Sequence, residues 1–81
     1  MIWTYATFTK YCLSVFDAGE EWVDGYLIRE RINTRCNENI GSGRFYVFMA
    51  RMVRDGVLER RQGEDLVIDG ERIKTFFWRR K

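Results

Sequence analysis

The chain has 81 residues, 46% of them hydrophobic and 32% charged, with a formal net charge of +2. That suffices for a single domain, residues 1–81, around one modest core, and it excludes a disordered chain. The longest aromatic-rich run, FYVFMA at 45–50, is cut by Arg51, which excludes a transmembrane helix, and the N-terminal MIWTYATFTKYC has neither the basic start nor the cleavage site of a secretory signal, so a cytoplasmic protein is expected.

Absent residue types narrow the chemistry. The chain has no His, so no His-dependent base or triad is available, and neither the two cysteines nor the carboxylate pairs at 20–21 and 64–65 have catalytic or metal-ligand spacing. No enzymatic activity, metal or cofactor is expected, and no effector pocket is legible. Cys12 and Cys36 read as free thiols.

The first helix begins near residue 4 and ends by 18, with Gly19 as its stop. Phe8, Tyr11, Cys12, Val15 and Phe16 recur at helical spacing along one face. Trp22 and Val23 then form a short extended link, and Asp24 caps a second helix over 24–36. Its apolar side is Leu27, Ile28, Ile32 and Cys36. NENIGSG at 37–43 is a turn with Ile40 as a buried anchor. Ser42 is the expected N-cap of a third helix over 42–55, ended by Gly56. Phe45, Phe48, Met49, Met52 and Val53 form its apolar face, and Arg44, Val47, Arg51 and Arg54 lie mostly opposite.

Residues 57–79 read as β structure. VLERR pairs with RIKTFFWRR as an antiparallel ribbon, and Asp69-Gly70 is a strong hairpin turn signal. Residues 66–68 are either a third strand or part of a long loop. The fold class is α+β: three helices, the second and third joined by a Gly-containing turn, followed by a C-terminal β-hairpin. That order is a winged helix-turn-helix.

The charge distribution is uneven. Residues 1–43 carry four basic and six acidic side chains, whereas 44–81 carry ten and six, and eleven of the fourteen basic residues are Arg. Arg binds phosphate and guanine through a planar fork. GSGR at 41–44 lacks the Lys and Ser/Thr offsets of a nucleotide-binding loop. It reads better as a turn that aims the third helix's N-terminus at an anion.

SGRFYVFMARMVRDGVLERR at 42–61 resembles the recognition helix and following strand of winged-helix transcription regulators, especially the PadR type, and WVDGYLIRERI at 22–32 resembles their short strand and second helix. The resemblance implies sequence-specific binding of double-stranded DNA by a small bacterial or phage regulator acting as a homodimer. The third helix would enter the major groove and the wing would lie on phosphates. By position it implies that Ser42, Arg44, Tyr46, Val47 and Arg51 lie at DNA, with Arg61, Arg72 and Lys74 on the wing. Arg60 and Arg61 are adjacent on a strand, so at most one of them readily faces DNA. PadR-type proteins dimerise through a C-terminal helix that this sequence lacks, which leaves Ile2, Trp3 and Tyr5 as the expected dimer or partner surface.

The aromatic content points to an alternative. Thirteen aromatic residues in 81 exceed what one small core obviously holds. A winged helix serving as a protein-interaction module, such as a phage-type inhibitor or a small assembly subunit, would use exposed aromatics as its contact.

Overall fold

The Thr4 hydroxyl accepts the Thr7 amide at 3.2 Å and opens α1, Tyr5–Ser14. The computed structural model describes residues 2–17 and 19–81, so residue 18, within the expected first helix, lies outside the described residues. The helix ends at Ser14, short of the expected 18, because its last carbonyls are taken from outside. Arg35 donates to the Ser14 carbonyl at 2.8 Å and Arg31 donates to the Val15 carbonyl at 3.1 Å. Val15 and Phe16 then turn into the core. Gly19 does adopt a left-handed φ of 85°, but in the loop beyond the helix.

β1, Val23–Asp24, leads directly into α2, Gly25–Cys36. The Asp24 carboxylate accepts the Tyr26 and Leu27 amides, as expected of an N-cap. Gly25 has a packing reason as well: a Cβ there would stand 2.6 Å from Trp78 Cζ3. Asn37 ends the helix in the left-handed region. The Asn33 side chain then holds the turn by accepting the Ile40 amide at 2.7 Å, and Ile40 is buried. Leu27, expected on the apolar side of α2, is exposed instead; Ile28 and Ile32 carry that face.

α3 is Ser42–Arg54. Ser42 is its first residue and Gly41 its N-cap, with no side-chain cap bond, which corrects the expectation for Ser42. At the other end Gly56, at φ 77°, closes a paired cap: the Val57 amide donates to Met52 and the Gly56 amide to Val53.

β2 (Leu58–Gln62), β3 (Leu66–Ile68), β4 (Glu71–Ile73) and β5 (Phe76–Arg80) complete the fold. β5 lies between β1 and β2 in an antiparallel sheet, and β3 pairs with β4. Residues 66–68 are therefore a strand, and Asp69 and Gly70, both at positive φ, make the tight turn. Leu58 faces Arg80 and Gln62 faces Phe76, and Gly63 donates its amide to Thr75. Beyond that point Leu66 faces Ile73. Glu64 and Asp65 thus stand against Lys74 alone, which is a β-bulge, and the Thr75 hydroxyl pins it by donating to the Glu64 carbonyl.

The chain is thus an α+β fold of three helices and a small antiparallel sheet. Phe8, Cys12, Ile28, Ile32, Phe45, Met49 and Met52 from the helices meet Val23, Leu58 and Trp78 from the sheet. Burial pushes the Cys12 thiol up to about 12, and it contacts the Met49 sulfur at 3.7 Å.

Arg31 ties the loop after α1 to α2 through Glu20 and, at 3.7 Å, Asp17. Arg31 donates to both Glu20 carboxylate oxygens, at 2.7 and 3.1 Å, and these bonds hold the Glu20 carboxyl below its usual range. A carboxyl depressed in the folded state stabilises above its unfolded pKa, near 4, and loses that contribution as pH falls through the folded value. Glu20→Gln is expected to lower the urea midpoint at about pH 7 and to match the parent chain below about pH 3. A gap that persists in acid would assign the effect to something other than the carboxylate's charge.

Candidate nucleic-acid interface

α3 buries Phe45, Met49 and Met52. The opposite row, at i, i+4, i+7 and i+11, is Gly43, Val47, Ala50 and Arg54, all exposed, Val47 to 69%. The helix contains no acidic residue, and the row is smooth until it reaches Arg54. Its first intrahelical bond runs from the Phe45 amide to the Gly41 carbonyl. The amides of Ser42, Gly43 and Arg44 thus precede the helical bonding pattern and carry the positive end of the dipole.

The arginines expected on this face lie along its flank toward α1. Arg44 donates through Nη2 to the Trp3 carbonyl at 2.8 Å and lies against the Phe48 ring. Arg51 stacks on the Tyr5 ring, 4.0 Å from its centroid, and sits 3.8 Å from Asp55. The Tyr5 hydroxyl donates to the same carboxylate at 2.9 Å. Burial first, then Asp55, raises the Tyr5 phenol above its ordinary value. Both guanidiniums are held by the segment before or within α1, with N–H groups to spare. Tyr46 marks the other flank, half-exposed against Phe45 and Trp78.

This arrangement corrects the N-terminal surface. Trp3 is a core residue at 6% exposure, and Tyr5 is half-buried under Arg51, so of the three residues expected to form a contact surface only Ile2 is free of the core.

Strand register sorts the basic residues of the hairpin. Leu58 and Trp78 lie on the pleat that meets the helices, and Arg60 and Phe76 follow by alternation, with Arg60 4.9 Å over the Phe76 ring. Continuing that alternation along the second strand puts Lys74 and Arg72 on the same side, with Val67 across from Arg72. Arg61 lies on the other side. It stacks on Trp22 at 4.7 Å and on Phe77, and Arg79, paired with Glu59 at 2.6 Å, shares the Trp22 ring. Arg72 and Lys74 therefore group with Arg60 and not with Arg61. The signal was present in the sequence: Leu58 is two residues from Arg60, so burying one fixes the side of the other.

The hairpin's tip is acidic. Residues 63–71 contain Glu64, Asp65, Asp69 and Glu71 and no base. Among the described residues no cluster of His, Cys, Asp or Glu could hold a metal, and no helix is long and apolar enough to cross a membrane. No protein-family model, curated protein or solved structure matches this chain.

Proposed function

We propose that the chain is a winged helix-turn-helix that binds double-stranded DNA, as a small transcriptional regulator would. α3 enters the major groove and the Arg60, Arg72 and Lys74 side of the hairpin stem rests on the backbone. The observation that carries this reading is the outward row of α3, acid-free and smooth from Gly43 to Ala50, between two flanks of fixed side chains.

The reading assigns different roles along the helix. Val47 and Ala50 are small enough to bring the helix close to base edges and suit thymine methyl groups. Arg44 and Arg51, already ordered on the flank, suit phosphates, where each contact adds affinity and salt dependence without sequence preference. Ser42, beside the free amides, suits a phosphate as well.

Fluorescence anisotropy with a labelled random-sequence duplex, at about 50 and 150 mM salt, tests it. The expected result is binding that falls steeply with salt. Val47→Glu, which places a carboxylate at an exposed position, should weaken binding roughly tenfold or more without altering the melting temperature. Arg61→Ala, on the far side of the sheet, should leave affinity within about twofold. Binding that is absent at both salt concentrations, or indifferent to Val47→Glu, overturns the proposal.

A further inference from the structure

The bulge places the hairpin's apolar residues on the side of the sheet away from the helices. Ile73 follows Phe77 and Thr75 by alternation along the second strand, and Leu66 is its cross-strand partner. Ile68, two residues on, shares the side with Leu66. Leu66 indeed lines a cleft of about 660 Å³ with Asp24, Arg61, Glu64, Thr75 and Phe77. The outer side of the sheet thus carries one apolar strip from Trp22 and Phe77 through Leu66 and Ile73 to Ile68. Leu66 and Ile68 are each 52% exposed and Ile73 44%. A two-stranded hairpin gains little stability of its own, so uncovered aliphatic side chains along it mark a contact surface.

The charges on this strip are arranged end to end. At the stem, Glu59 is paired with Arg79 and Asp24 is committed to the α2 amides, while Arg61 meets aromatic rings and forms no ion pair among the described residues; Glu64 of the bulge lines the same cleft. At the tip, Glu71 lies on the same side, beside the Asp69 turn. Glu71 and Phe77, the cross-strand partner of Arg61, are six positions apart, a distance of about 20 Å centred at position 74. A copy laid face to face and turned by 180° about that centre puts its Glu71 over Arg61 and receives the reciprocal pair. The apolar residues of both copies meet between.

We infer that the outer side of the sheet is a self-association surface and that its occupant is a second copy of this chain, in a two-fold, antiparallel, sheet-on-sheet contact. Such a contact is isologous and closes at two. A strip of about 33 by 14 Å buries roughly 800–1,000 Å² in total, at the low end for protein interfaces, so a weak, concentration-dependent dimer is expected. The contact leaves α3 and the Arg60, Arg72 and Lys74 side of the stem uncovered, and it does not depend on the DNA reading.

Sedimentation velocity over about 5–500 µM tests the inference. The expected result is a shift from the 9.8 kDa monomer toward twice that mass. Ile73→Lys should weaken association at least tenfold. Val67→Lys, on the opposite side of the same hairpin and more exposed at 68%, should leave it unchanged. Arg61→Glu should also weaken it, and Arg61→Glu with Glu71→Arg should restore it, because the reciprocal pair is rebuilt with its signs exchanged. Thermal melts of each variant confirm folding. A monomer at every concentration, a series of larger polymers, equal loss from Val67→Lys and Ile73→Lys, or no rescue by the double exchange overturns the inference.

Discussion

Trp78→Ala is expected to lower the stability of the fold by about 3–5 kcal/mol. Trp78 is a large buried side chain that joins the sheet to α2 and α3. Its strand partners are Val23 on β1 and Arg60 on β2, its ring lies against Gly25 at the start of α2, and Tyr46 of α3 packs on it at 5.8 Å. Alanine leaves a cavity that these neighbours cannot fill together, since Gly25 has no side chain and Tyr46 is held by Phe45. Among the described residues the buried Trp78 indole N–H has no hydrogen-bond partner. Trp78→Phe therefore removes an unsatisfied donor along with part of the ring, and a buried unmet donor costs about 1–3 kcal/mol. The phenylalanine variant is accordingly expected to lose about 2 kcal/mol or less. Urea unfolding monitored by circular dichroism measures both. Equal losses from Phe and Ala would place the tryptophan's contribution in its N–H or in its outer ring alone.

Phe8→Ala is the second large effect, again about 3–5 kcal/mol. Phe8 is fully buried, stacks on Phe48 at 4.8 Å, and presents edges to Phe45 and Trp3. These rings are the main joint between α1 and α3. Domains of this size have a total stability of roughly 5–10 kcal/mol, so the variant keeps little margin. Its melting midpoint is expected to fall by roughly 15–30 °C, whereas Phe8→Leu should fall by about a third of that. The loss also reaches the proposed DNA face, because Arg44 and Arg51 are positioned by Trp3 and Tyr5 at the start of α1. If Phe8→Ala melts within a few degrees of the parent chain, α1 is not held by this ring cluster.

Helical periodicity made the three helices and their order legible. Phe45, Met49 and Met52 recur at the right spacing, and Asp24 and Gly56 mark ends with their own side-chain or backbone chemistry. The Asp69-Gly70 turn was equally plain. What the sequence hid was non-local. The early end of α1 depends on Arg31 and Arg35 arriving from α2, sixteen and twenty-one residues from the carbonyls they bind. Arg44 looked free because its partner is a backbone carbonyl at Trp3, and a carbonyl has no sequence signature. Trp3 looked like surface because it precedes the first helix, yet its ring packs edge-on against Phe8 and Tyr11 and joins the core. The bulge is invisible for a similar reason. Simple alternation from Arg61 continues to Val67, whereas the extra residue at 64–65 transfers the outward positions to Leu66 and Ile68.

The sulfur contact in the core has a consequence for how long the protein lasts. Cys12, with its thiol pushed up to about 12, and Met49 touch in a fully buried site with Met52 beside them in the same core. While the fold is closed the thiol stays protonated and oxidants have no access. Each global opening exposes all three sulfurs at once. A methionine converted to its sulfoxide is polar, and a core that must rebury it does not close again. In an oxidising environment a reversible equilibrium thus becomes a one-way loss, and because a small domain recloses much faster than its sulfurs oxidise, the protein's lifetime follows the equilibrium population of the opened state and so its free energy of folding.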